Sequence, residues 1–461
     1  MNIIYNMSSL MSTNIGDPTK NIQLDAVPYN LSSSRLPMPM QTANRIIQIP
    51  CSFGNQFSLN SGGSQLQFIV PTGAGTGYLR NQSCYLRYKI FFTDATNTTW
   101  NFGGPTADGC AIFGNVRAMV GGCQVENINN YSNYHQTMLG HFTNKSYVEK
   151  VSNILSASLQ DGTSTATGGG ANTLQNVIDG GIGAIKLSAN VGYSITVPLC
   201  LNMLNGTKSL PLFLMGSSPL QIQLDLAPLS LAIQTASTTY TNVIITDPML
   251  VYEEVRVAPV VEMAILETMK NEGKMYELPL ITATGYNQTV LANQPLTFYQ
   301  SVNLKSMLGI LYMAQTTANQ AITASKYFTK YYTDTTAPTH RLILDGSQWN
   351  NVQLQYDSSL FAMMASVGTS LFNSNVCTRH NTAVRSSTTA NAVSSYTGRS
   401  FVNGFSTKAY LENNLIGTGK SVGNLNLYID SNTNSGANFY IYVVHQATML
   451  IDGYGNVSLL R

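Results

Sequence analysis

RAMVGGCQVEN, residues 117–127, and RLILDGSQWNN, residues 341–351, are two versions of one stretch. Arg117 and Arg341, Gly122 and Gly346, Gln124 and Gln348, and Asn127 and Asn351 coincide at a constant separation of 224 residues. In each copy an apolar strand runs into a glycine turn, a short strand follows, and a helix comes next. Self-similarity at a fixed separation is the mark of duplicated structural units. The chain is therefore expected to hold two related β-domains, at residues 46–257 and 273–461, with Gly122 and Gly346 in the same turn of each.

The flanking sequence is consistent with this reading. From Tyr85 to Phe92, the apolar Leu86, Tyr88, Ile90 and Phe92 alternate with Arg87 and Lys89. Leu220, Ile222, Leu224 and Leu226 alternate with Gln221, Gln223 and Asp225, and Leu425, Leu427 and Ile429 with Asn424, Asn426 and Tyr428. Side chains along a strand point to opposite faces in turn, so this period of two predicts half-buried strands. Turn clusters separate them, such as 73–77 (GAGTG) and 452–456 (DGYGN). The Gly/Ser/Thr-rich stretch 156–172 offers little to bury and is expected to be an exposed loop that tolerates insertion.

Three helices are expected. The first carries Ile128, Tyr131, His135, Met138 and Phe142 at spacings of three and four. The second carries Leu360, Met363, Met364, Val367 and Leu371, with Asp357 or Ser358 as its cap. The third starts at Pro259, turns Val261, Ala264, Ile265, Thr268 and Met269 inward, and stops before Gly273. It falls between the two domains, as a linker at residues 258–272.

Composition narrows the function. Charged residues make up 10% of the 461 residues, against about 25% in an average soluble domain. Interface cores are depleted in Lys, Glu and Asp and enriched in aromatics, so low charge with 25 tyrosines suits a chain whose sides are buried against copies of itself. The same composition also suits a β-sandwich adhesin. Lys plus Arg is 24 and Asp plus Glu is 22, without a basic block. Affinity for nucleic acid comes chiefly from neutralising phosphates, so sequence-specific nucleic-acid binding is not expected. The six cysteines form no CxxC pair and are expected to be reduced and buried. No signal peptide is read at the start, and no apolar run is long enough for a membrane helix. The chain is expected to be made inside a host cell and not secreted.

No motif signals catalysis, a cofactor or a metal. Gly73, Gly75 and Gly77 lack dinucleotide-loop spacing and read as a turn. Cys377 and His380 have ligand spacing but no second pair. His135 reads as a hydrogen-bonded core residue. The adjacent Glu253 and Glu254 would point to opposite faces of a strand, which is wrong for a cooperating pair. No nucleophile elbow or HExxH occurs. The sequons at Asn97 and Asn205 are expected in a chain rich in Asn, Ser and Thr, and are not read as glycosylation sites.

Four segments resemble the double jelly-roll major capsid proteins of the PRD1–adenovirus lineage, most of all those of polinton-like viruses, adintoviruses and virophages. They are 112–134 (IFGNVRAMVGGCQVENINNYSNY), 195–227 (ITVPLCLNMLNGTKSLPLFLMGSSPLQIQLDLA), 252–267 (YEEVRVAPVVEMAILE) and 302–312 (VNLKSMLGILY). Together they cover about a fifth of the chain, in the family's order. The resemblance implies an all-β fold of two tandem eight-stranded antiparallel jelly rolls, with short helices in loops and a helical linker. It implies a structural subunit of an icosahedral DNA-virus capsid. Three chains would form a pseudo-hexagonal homotrimer that meets neighbouring capsomers, penton and minor capsid proteins. Residues 1–45 would be an N-terminal arm, folded against neighbours or under the shell, where some relatives have an internal membrane. The competing readings are a minor capsid, penton or spike protein, a β-sandwich adhesin or glycan-binding protein, and a glycan hydrolase. The last would need two carboxylates about 5 to 9.5 Å apart in a cleft.

Overall fold

Period-two alternation in the sequence becomes alternation in burial. In Tyr85–Asp94 every second side chain from Leu86 is buried, and in Leu220–Leu226 every second one from Leu220. A computed structural model of the chain describes residues 43–60, 63–96, 99–103, 109–137, 187–205, 208–216, 218–235, 240–316, 339–353, 402–407, 409–411, 414–430 and 436–461. The stretch 156–172, the expected second helix, Cys377 and His380, residues 1–42, and parts of both sequons lie outside the described residues.

The first half of the chain supplies eight principal strands: β1 (Ala43–Pro50), β2 (Gln65–Val70), β3 (Tyr85–Asp94), β4 (Phe113–Val120), β5 (Cys123–Asn129), β6 (Gly192–Pro198), β7 (Leu220–Leu226) and β8 (Tyr240–Arg256). They form two antiparallel sheets, β1-β8-β3-β6 and β2-β7-β4-β5. The second half supplies β9 (Tyr276–Val290), β10 (Leu296–Thr316), β11 (Thr339–Leu344), β12 (Ser347–Gln353), β13 (Val402–Ser406), β14 (Lys420–Ile429) and β15 (Ala437–Ile451).

Strand β10 serves twice. Its first part pairs with β14, the register slips between Ser301 and Met307, and its last part pairs with β15 and β13. The slip is a corner at which one strand changes sheet. Counting its halves as two strands, the sheets are β9-β15-β10-β13 and β10-β14-β11-β12. By position the order is 1-8-3-6 and 2-7-4-5 in both halves of the chain. This is one jelly roll made twice. The first roll turns the corresponding corner with the Gly73–Gly77 loop and a short strand, Tyr78–Leu79, instead of a bent strand.

The repeated stretch is the hairpin between positions 4 and 5. Val120 pairs with Cys123 and Met119 with Gln124, then a bulge moves Ala118 onto Glu126. Leu344 pairs with Ser347 and Ile343 with Gln348, then a bulge moves Leu342 onto Asn350. Pairing and bulge coincide at the same separation as the sequence repeat. The two turn residues have positive φ in both copies, +56° and +82° at Gly121 and Gly122, +51° and +78° at Asp345 and Gly346. A two-residue hairpin turn of this type needs positive φ twice, which glycine and aspartate tolerate. Asp345 also accepts the backbone N–H groups of Gly423 (2.9 Å) and Asn424 (2.8 Å).

Two helices differ from expectation. Helix α1 spans Tyr131–Thr137, and Ile128 belongs to β5. Asn130, at φ +52°, ends the strand, and its carbonyl accepts the N–H groups of Asn133 and Tyr134. Met138 and Phe142 lie outside the described residues. Helix α2 spans Pro259–Glu272 and stops at Gly273, which is left-handed. Its inner side is Val261, Ile265, Leu266 and Met269, whereas Ala264 and Thr268 are exposed. Thr268 satisfies its hydroxyl on the Ala264 carbonyl of its own helix (2.8 Å) and so needs no partner inside.

Candidate functional site: the seam between the rolls

Strand β5 lies at one edge of the first roll and β9 at one edge of the second. The two edges lie side by side, with one close backbone approach and several side-chain contacts between them. Gly285 of β9 comes so close to Asn129 that an added Cβ would sit 2.3 Å from the Asn129 carbonyl oxygen. The Asn129 side-chain amide donates to the Gly285 carbonyl (3.2 Å). Asn130 and Asn287 exchange hydrogen bonds between their amides (2.7 and 3.3 Å). The buried Tyr442 donates its hydroxyl to the Asn130 carbonyl (2.8 Å), and its ring lies 5.3 Å from that of Tyr134.

A second contact closes one end of the seam. The Asp452–Asn456 turn of the second roll is held by the Asp452 carboxylate, which accepts the N–H groups of Tyr454 (2.9 Å) and Asn456 (2.8 Å). The Asn456 side-chain amide also donates to it (2.8 Å), and this bond with the backbone ones keeps its pKa below the usual carboxylate range. The turn brings Gly455 onto Gly216 of the first roll, where an added Cβ would stand 2.9 Å from the Gly216 nitrogen. Gly455 and Gly216 both have positive φ, so glycine serves the backbone shape as well as the close approach.

Glu126 of β5 is buried beside this seam. Its carboxyl accepts the backbone N–H groups of Asn202 (3.1 Å) and Met203 (2.9 Å), and Thr282 of β9 faces it. Burial outweighs those bonds and pushes its pKa up to about 7. A cleft of about 290 Å³ lies farther along the seam, lined by Asn115, Asn130, Asp225, Asn287, Gln315 and Tyr440 among others. Asp225 there is ion-paired with Arg117, the first residue of the repeat. The counterpart, Arg341, lies over the Tyr428 ring, 5.4 Å from its centroid.

The remaining sequence candidates are structural. His135 is buried and hydrogen-bonds the Pro198 carbonyl through Nε2 (3.1 Å). Glu254 is buried, bound to Arg45, to Arg256 and to the Gly77 N–H, while Glu253 points the other way to Arg80. Gly73–Gly77 is a turn followed by a strand. Cys51, Cys84 and Cys110 are buried thiols as expected, whereas Cys123, which directly follows the exposed hairpin turn, and Cys200 are only half-buried. Among the described residues no group of three or more His, Cys, Asp or Glu is placed to hold a metal ion, and no helix is long and apolar enough to cross a membrane. Sequence reasoning missed Glu126 and the seam. One signal was available: Glu126 shares its strand face with the apolar Ile128 two residues on, and both are buried.

No protein-family model matches the sequence, and no curated protein sequence does either. Solved structures do match along nearly the whole chain. The Faustovirus major capsid protein superimposes with a TM-score of 0.59 at 10% identity, over 98% of this chain and 98% of its own. A chain of the Sputnik virophage structure matches with a TM-score of 0.58 at 14% identity, over 94% of this chain and 91% of its own. The mavirus major capsid protein matches with a TM-score of 0.51 at 11% identity, over 93% of this chain and 92% of its own. At such identities the likeness is one of fold. With the same order of strands in both halves, it identifies this chain as a double jelly roll of the kind found in these viral capsid proteins.

Proposed function

We propose that the chain is a major capsid protein, a structural subunit whose trimers form pseudo-hexagonal capsomers in an icosahedral DNA-virus shell. The observation that carries this is the double roll itself. Two copies of one sandwich are fused along a tight seam, and the match to the Faustovirus major capsid protein runs over 98% of both chains. Three such chains present six similar rolls, a shape that tiles a flat facet by symmetry. In this proposal residues 46–257 and 273–461 are the two units and 258–272 the linker. Residues 1–45 are the arm that meets neighbouring capsomers or an internal membrane. Ala43–Arg45, the last of that arm, already pair with Glu254–Arg256 on β8. The partners are copies of the chain, penton and minor capsid proteins, the location is the virion, and the role is structural without chemistry of its own.

Sedimentation of the purified protein across dilution and ionic strength tests this. Obligate interfaces bury about 2,000 to 5,000 Å² and resemble cores, and salt screens only exposed charges. The expected result is a three-chain species that survives micromolar dilution and moderate salt. A soluble, folded single chain at micromolar concentration contradicts it.

A further inference from the structure

The Glu126 carboxyl is enclosed between the two rolls, and every group that meets it is neutral. On the side of the first roll it has the N–H groups of Asn202 and Met203, from the helical turn Asn202–Asn205, and Tyr134 of α1, which lies beside Cys200. Its register partner on β4 is Ala118. On the side of the second roll it has Thr282 of β9, whose own register partner on β15 is His445. The buried His445 ring is held neutral by burial, at a pKa of about 4, and meets the Thr284 hydroxyl and the Gln446 carbonyl (both 3.4 Å). Arg461 comes to the same end of the seam but is exposed and donates to the Gln124 carbonyl (3.2 Å). Among the described residues no cation pairs with Glu126. Beside it lies a cavity of about 50 Å³, lined by Val125 and Asn127 of β5, residues 282–284 of β9, and His445. Two buried oxygens there, Asn127 Oδ1 and Thr282 Oγ1, have no close hydrogen-bond partner in the protein. Water needs at least about 10–15 Å³ and polar partners, and this cavity offers both.

We propose that this stretch of the seam is a proton-operated latch: it stays shut over Glu126 while the carboxyl keeps its proton, and losing the proton opens it locally at Thr282, where water reaches the carboxylate through the cavity. A buried charge without a counter-ion is costly, and wetting it is the cheapest remedy where a cavity already adjoins. Segments can open in this way without the domain unfolding. The carboxyl loses its proton near 4.5 in water and at about 7 in the closed seam, because burial outweighs its hydrogen bonds. The closed value is the higher one, so the open state gains on the closed state as pH rises. Between pH 6 and 9 the gain is about tenfold, and it levels off above 7. The other seam contacts, Gly285 on Asn129 and Gly455 on Gly216, depend on no group that titrates in this range and hold the rolls together meanwhile. The latch lies within one chain, so it goes beyond the capsid reading and does not depend on it.

Amide hydrogen exchange of the full-length protein at pH 6, 7.5 and 9, corrected for the intrinsic effect of pH on exchange, tests this. Three places are read: the Asn202 and Met203 N–H groups, residues 281–284 of β9, and Leu425–Ile429 of β14 as a reference away from the seam. In wild type, protection at the first two should fall about tenfold from pH 6 to 9 while the reference holds. Glu126→Gln has no proton to lose and should show no such fall. Thr282→Val loses a hydroxyl that favours the ionised carboxyl, so its fall should come at higher pH. Constant protection in wild type overturns the proposal. An equal fall at the reference overturns it too, since the whole chain would then be loosening. A fall that persists in Glu126→Gln assigns the response to another group and has the same force. If Glu126→Gln does not fold, Thr282→Val decides, and a midpoint unmoved from wild type overturns the proposal.

Discussion

Replacing Glu126 by glutamine removes a buried ionisable group from the seam and should change how stability depends on pH. Burial holds the wild-type carboxyl at about 7, against an ordinary value of 4.5. The folded value is the higher one, so the contribution is fully present below about pH 4.5 and is lost as pH rises through about 7. At 1.36 kcal/mol per pKa unit, the loss above that value is roughly 3 kcal/mol. Glutamine cannot ionise and does not suffer this loss. Its amide turns an NH2 toward one of the two N–H groups that the carboxyl satisfies, at a cost of about 1 to 3 kcal/mol at every pH. Glu126→Gln should therefore melt below wild type at pH 5, and the deficit should shrink or reverse by pH 9. A roll of about 200 residues moves by about 2 to 4 °C per kcal/mol, so the difference between the two melting points should change by roughly 6 to 12 °C. Melts of both proteins at equal concentration, from pH 5 to 9, supply the measurement. A constant offset across that range would refute the reasoning.

In acid the direction reverses: burial lowers His340 to about 3 and His445 to about 4, so their contribution is present above about pH 6.5 and is lost as pH falls. Acid titrations followed by fluorescence should show His340→Gln losing stability less steeply below pH 6.5 than wild type. Gly285→Ala places a Cβ 2.3 Å from the Asn129 carbonyl oxygen and should cost about 1 to 3 kcal/mol or more, read as a lower melting point and faster proteolysis. Gly122→Ala and Gly346→Ala meet open space but force an L side chain to φ +82° and +78°, so each should cost about 1 to 2 kcal/mol. Denaturant melts giving clearly unequal losses would contradict the equivalence of the two turns.

The features legible in the sequence were those encoded locally. The strands around Tyr88, Leu224 and Leu427 follow from alternation alone, and the hairpins at Gly122 and Gly346 from a turn that restricts which residues fit. Less legible was anything set by distant partners. Leu296–Thr316 contains no proline to mark where one strand becomes two, because its corner is made by register slips against β14 and β15. The linker helix is apolar on several sides, with Val260 and Met263 exposed, so spacing alone did not decide which side faces inward. Gly285 is one glycine among 37, and only the fold brings it against Asn129. Glu126 looked like an unremarkable member of the repeat, since its burial depends on backbone donors from residues 202–203 and on the second roll.

Electron microscopy of the purified full-length protein tests the central claim most directly. A capsid building block of this fold predicts class averages with six lobes in a hexagonal outline and threefold symmetry, each chain contributing two adjacent lobes. Two-lobed single particles at micromolar concentration, with neither rings nor threefold averages, would contradict it.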